Sequence, residues 1–140
     1  MMTEASRLLL PIRGLSYGQA MYYVSERFDV KIFTRLNLPE GVEGICDTNL
    51  KAIGLSRNLT YAAKRCALVH ELVHYLHDDG KNTPRLEART RRETAEILVS
   101  PETYRQEEEM YGTDYAQIAD DMDITESVLA DYLRLRGVPV

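Results

Sequence analysis

The chain has little cysteine, no surplus of positive charge and no long apolar run, and each shortage removes a class of protein. Only Cys46 and Cys66 are present, twenty residues apart and without a Cys-x-x-Cys pair. That leaves room for one disulfide at most and fits a reduced, cytoplasmic protein better than a disulfide scaffold. The formal net charge is -5, so nothing in the balance invites nucleic acid or an anionic membrane surface. The early apolar stretch Leu8–Ile12 is interrupted by Pro11, too short for a signal-peptide core or a membrane span. Internal repeats and low-complexity tracts are missing too.

What remains is ordinary globular composition, 44% hydrophobic and 28% charged over 140 residues, enough for one domain with a core. Met21, Val24 and Phe28 share a face, predicting a helix over Ser16–Phe28. From Asp29 to Ser56 the texture changes. Val30–Phe33, Val42–Cys46 and Ala52–Leu55 read as short strands separated by turn residues, and a small antiparallel sheet of about three strands is expected.

Thr60 is placed to cap a second helix from Tyr61 to about His77, with Asp78-Asp79-Gly80-Lys81-Asn82 as turn chemistry. Thr83-Pro84 opens a third helix that runs to about Val99 before Ser100-Pro101. The fold class expected is α/β (α+β), with residues 1–101 as its main domain. Residues 102–140 form a helical tail with ten acidic residues against one basic, Arg105, between Glu102 and Leu133. It is too short for a core of its own and is expected to pack on the rest.

The chemistry sits in His70-Glu71-Leu72-Val73-His74, a His-Glu-x-x-His pattern inside the second helix. Residues four apart lie one turn apart on one face, so both imidazoles can reach a single ion. At about 2% His and about 6% Glu, chance produces this pattern in roughly one such chain in a few hundred. The three histidines of the protein all fall between positions 70 and 77, which sharpens the signal further. Zinc accepts such nitrogens and keeps a position for water in catalytic sites. Glu71, about 100° around the helix from His70, is placed as general base for a water attacking a carbonyl.

Two histidines need a third protein ligand. If helices two and three form an antiparallel hairpin, Glu87 returns to the level of His74 and is preferred. Glu93, about 9 Å deeper along its helix and nearer the level of His70, is the alternative. His77 is expected to cap the helix end or to lie behind the ligands. Asp78 and Asp79 read as loop solvation. Tyr61, Tyr75, Tyr104, Tyr111 and Tyr115 are candidates by type for stabilising an oxyanion. The strand Ala52–Ser56 is the expected edge for pairing with substrate backbone.

With these residues in hand, the chain resembles the ImmA/IrrE family of small metallopeptidases, especially compact versions from phages, prophages and actinobacteria. The likeness runs over roughly residues 50–135. It rests on the strand Ala52–Ser56, the Leu59-Thr60 cap, Arg65-Cys66-Ala67-Leu68-Val69-His70-Glu71-Leu72-Val73-His74, and the ending Thr94-Ala95-Glu96-Ile97-Leu98-Val99-Ser100-Pro101. Counting back from Pro101, the resemblance assigns the ligand glutamate to Glu87. The chain departs from the family at Thr90-Arg91, where Ala-Asp or Ala-Asn is common. The resemblance implies a zincin-like fold, a zinc ion, and site-specific cleavage of a regulatory protein such as a phage or mobile-element repressor.

Two rival functions are carried alongside. One is a zinc-binding protein that docks a partner through the acidic tail with little or no turnover. The other is a DNA-binding regulator, since Ala116–Leu129 reads like a helix-turn-helix. Its second helix carries Glu126 and Asp131 and no basic residue before Arg134, which repels phosphates.

Overall fold

The computed structural model describes residues 2–35 and 37–139. Two segments precede the sheet. Helix α1 (Glu4–Leu9), capped by the Thr3 side chain, runs into a 3-10 turn at Leu10–Gly14 that begins around Pro11. Leu9 and Ile12 from this stretch are fully buried, so the apolar run that is too short to span a membrane is a core segment. Helix α2 (Tyr17–Arg27) follows at the expected place, opened by a reciprocal capping box between Ser16 and Gln19.

The sheet has strands β1 (Lys31–Arg35), β2 (Gly44–Asp47) and β3 (Ala52–Ser56) in the order β1-β3-β2. It is mixed, which corrects the antiparallel expectation. β2 pairs antiparallel with β3, Gly44 opposite Leu55 and Asp47 opposite Ala52. β1 pairs parallel with β3, Lys31 opposite Ala52 and Arg35 opposite Ser56. The physical reason is burial. β3 is the strand with its three central residues buried, so it takes the middle. The tight connection after Asp47 folds β2 back along one edge, and β1 is left with the other. Ala52–Ser56 is therefore no edge; the edges are β1 and β2.

Helix α3 (Tyr61–Leu76) starts on the Thr60 cap, whose hydroxyl oxygen accepts from the Ala63 N–H. Nine of its residues are buried, so it is a central helix wrapped by the sheet, α2 and the next helix, not a surface helix. Arg65 shows how this burial is tolerated. Its guanidinium donates to the carbonyls of Leu15, Ile12, Arg13 and Asp123, binding α3 to the N-terminal turn and to the tail. Helix α4 (Pro84–Leu98) begins on Thr83 with Pro84 in the first turn. Its C-terminal carbonyls at Glu96 and Ile97 accept from Arg13.

The tail forms α5 (Pro101–Tyr111), α6 (Tyr115–Asp121) and α7 (Glu126–Leu135). Ile118, Leu129 and Leu133 join the same buried cluster as Leu68, Leu72 and Ile53. Helix α7 lies on α4, and Arg91 binds Asp131 through two hydrogen bonds of 3.1 and 2.8 Å. Among the described residues, no helix is long and apolar enough to cross a membrane.

Candidate metal centre

One turn of α3 presents His70 and His74 side by side, ring centroids 5.1 Å apart. Opposite them stands Glu87, from the first turn of α4. His70 Nε2 lies 3.2 and 3.1 Å from the two Glu87 carboxylate oxygens, and His74 Nε2 lies 3.3 Å from one of them. Among the described residues these three are the cluster of donors that converges within 4.8 Å. Glu87 is held by Asn82, whose amide donates to Oε1 at 3.0 Å.

Glu93 points elsewhere. Six residues on, it occupies a different face of α4, about 120° from Glu87. It meets His77 at 3.0 Å and not the level of His70. The connection between α3 and α4 leads the chain back past His74, so α4 does not retrace α3 as a simple hairpin would. His77 touches Glu93 and none of the three converging residues.

Asp79 corrects the expectation of a solvated loop. His77 ends α3, Asp78 follows in the left-handed region at φ 55°, and two hydrogen bonds close the turn: Asp78 N–H to Tyr75 O and Asp79 N–H to His74 O. This is a Schellman turn, and it aims the Asp79 side chain back at the helix. His74 Nδ1–H donates to Asp79 Oδ2 at 2.8 Å, with Thr90 Oγ1 3.3 Å from the same nitrogen. Burial pushes the Asp79 carboxyl up, but Arg89 and His74 more than offset it and leave it below the ordinary range. As a carboxylate Asp79 only accepts, so His74 carries a proton on Nδ1, which leaves Nε2, on the Glu87 side, as the nitrogen that can offer a lone pair to an ion.

That arrangement fits a cation. The 3.3 Å between His74 Nε2 and the Glu87 oxygen is bridged by a proton in the metal-free site and can be bridged by a metal ion instead. Four-coordinate zinc, with N and O ligands at about 2.0–2.1 Å, sets neighbouring donors about 3.3 Å apart. Burial lowers the His70 pKa, against the pull of Glu87, and so favours its neutral, metal-binding form. For Glu87, burial raises the carboxyl, but the Asn82 hydrogen bond and His70 outweigh it and keep it ionised.

Glu71 stands beside this cluster, 8% exposed, against β2. A Cβ placed on Gly44 would come within 3.0 Å of Glu71 Cγ, so the glycine makes room for the carboxyl. Burial pushes Glu71 up to about 7, with Glu87 adding to the rise and His74 opposing it. A divalent cation seated among the three donors would pull it down again.

The four residues line a cleft of about 660 Å³. One wall is β2 and the segment before it; the other is the start of α7, with Thr125, Ser127, Val128 and Asp131. None of the five candidate tyrosines is among its lining residues. Tyr75, for instance, donates its hydroxyl to Asp29 O.

The profile of the IrrE N-terminal-like domain, peptidase M78, matches residues 25–134. The chain belongs to that family. The match takes in the sheet, α3, α4 and most of the tail, so the candidate metal centre and both cleft walls lie inside the peptidase M78 domain. The family is zinc-dependent in general, in keeping with the donor set. No curated protein matches the chain.

Sequence reasoning missed Asp79 and Arg89. A usable signal existed for the first: a Schellman turn after His77 returns the residue five places beyond His74 to that histidine.

Proposed function

We propose that the protein is a zinc-dependent peptidase that cuts an extended segment of a regulatory protein, a phage or mobile-element repressor being the kind of target the family likeness suggests. The observation that carries this reading is the convergence of His70, His74 and Glu87 at zinc-ligand spacing with the Glu71 carboxyl in the same cleft. Zinc, when bound, polarises a carbonyl and makes water a nucleophile near neutral pH. His70, His74 and Glu87 would hold the ion, and Asp79 keeps His74 in the tautomer that offers Nε2. Glu71 takes the proton from the attacking water and passes it to the leaving amine.

The substrate backbone would add along β2, the edge strand whose residues line the cleft. Helix α7 supplies the facing wall. Its buried residues Val128, Leu129, Tyr132 and Leu133 serve packing, and Thr125, Ser127 and Asp131 face the cleft. That favours a role in the peptidase over duplex DNA recognition.

The test begins with zinc content of the purified chain beside Glu87→Ala and Glu93→Ala. About one zinc per chain, lost in the first variant and kept in the second, is expected. Co-expression with candidate repressors should then yield a discrete cleavage product that vanishes in Glu71→Gln. Partner binding without cleavage, equal in wild type and Glu71→Gln, would instead make this a docking protein.

A further inference from the structure

From the cleft-lining pair His74 and Asp79, a chain of polar and charged groups runs across α4 toward the N-terminal helix. His74 Nδ1 meets Asp79 at 2.8 Å. Asp79 is bound by the Arg89 guanidinium, Nη1 at 3.3 Å from Oδ1 and Nη2 against Oδ2. Arg89 Nε lies 3.2 Å from Glu93 Oε2, an ion pair whose angle does not make a hydrogen bond. Both Glu93 oxygens then face His77 Nε2 at 3.0 Å. The Glu93 side chain is 4% exposed and the Asp79 side chain 7%. Arg89 and His74 hold the Asp79 carboxylate in its charged form, and the Thr3 and Ser6 hydroxyls with His77 do the same for Glu93, with the Arg89 guanidinium lying between the two.

The far end is closed by the N-terminal helix. The Ser6 hydroxyl donates to Glu93 Oε1 at 2.8 Å, and the Thr3 hydroxyl donates to the same oxygen. Ser6 is fully buried, so its one polar group is committed to this contact. Thr3 is also the cap of α1. The helix is thereby tied to an acceptor on α4, and through it to a ligand of the proposed metal site.

We propose that Glu93 is a positioning residue for the metal centre, acting through Arg89 and Asp79 on His74, and that α1 holds it in place through Ser6 and Thr3. The inference deepens the proposed function and rests on its ligand assignment. Glu93 holds the Arg89 guanidinium in place by ion pairing, Arg89 fixes the Asp79 carboxylate through its two Nη groups, and Asp79 fixes the tautomer and direction of His74. Metal affinity is thus set partly by residues that never reach the ion.

The experiment uses the full chain and two readouts: zinc affinity by chelator competition, and the His74 tautomer by ¹⁵N NMR of the metal-free protein. Glu93→Gln should raise the zinc Kd about tenfold and move His74 from a single Nδ1–H form toward a mixture. Glu93→Asp should recover part of both. Ser6→Ala, the milder change should Glu93→Gln fold poorly, should weaken zinc a few-fold, by roughly less than Asp79→Asn. Ile97→Val serves as a stability control away from the chain of charges. Unchanged affinity and tautomer in Glu93→Gln and Ser6→Ala would overturn the proposal. So would an equal loss of affinity in Ile97→Val at matched stability. A wild-type chain that takes up no zinc would count against the peptidase reading, and the tautomer measurement would still decide this one.

Discussion

Gly44→Ala is the perturbation that tests how β2 governs the chemistry without touching a ligand. The new methyl would meet Glu71 Cγ at 3.0 Å, Glu71 Oε2 at 3.3 Å and the Gly54 carbonyl oxygen at 3.3 Å. Carbon atoms rest at about 3.5–4.0 Å, so the Glu71 side chain must retreat by about 0.5–1 Å. A general base misplaced on that scale loses up to about 100-fold in rate; a fall of about 10–100-fold in kcat is expected, about 1.4–2.7 kcal/mol of barrier. Overpacking costs about 1–2 kcal/mol of stability, partly offset by about 0.4–1 kcal/mol from the stiffer unfolded chain. The melting temperature should then drop by no more than a few degrees. The assay is cleavage kinetics on the identified substrate, with zinc content and melting measured on the same samples. Zinc retained and rate lost is the expected pair. Full activity with zinc retained would refute the placement of Glu71 by β2, and with it the assignment of Glu71 as base.

Three further outcomes follow from the packing. Arg65→Met leaves the four carbonyls that receive its guanidinium without their donor and should cost about 3–5 kcal/mol; chemical denaturation measures it, and a loss below about 1 kcal/mol would show the staple idle. Leu129→Ala empties a fully buried site in the tail and should cost about 2–5 kcal/mol. If the tail shares one core with the rest, calorimetry should show one transition moving as a whole; a tail that melts separately would contradict this. Burial raises the Glu93 carboxyl, but the hydroxyls of Thr3 and Ser6 and the imidazole of His77 bring it below the ordinary glutamate range. Its contribution to stability is therefore present above the unfolded pKa of about 4.3 and is lost as pH falls through the lower folded value. Glu93→Gln should flatten the acid limb of the stability curve, and an unchanged limb would deny the charge a role.

The sequence by itself determined what short-range physics decides. Thr60, Thr83-Pro84 and Ser100-Pro101 mark helix ends because a cap acts on N–H groups two or three residues away. The spacing of His70 and His74 sets two nitrogens on one helical turn whatever surrounds them. Helical rise alone also brought Glu87 within the search for a third ligand, though it set Glu93 beside the wrong histidine.

Tertiary structure decided the rest. The partner of each strand depends on which strand the core buries most deeply, and that quantity belongs to the assembled molecule, so β3 took the middle and left β1 and β2 as edges, with β2 on the cleft. The burial of Asp79 and Glu93 could not be read from a run of charges. A carboxylate looks the same in sequence whether water or an arginine neutralises it, and only the packing of α1, α3 and α4 brings Arg89 between the two. The acidic tail, likewise, shows its two faces only once folded, one set into the core through Leu129 and Leu133 and the other closing the cleft.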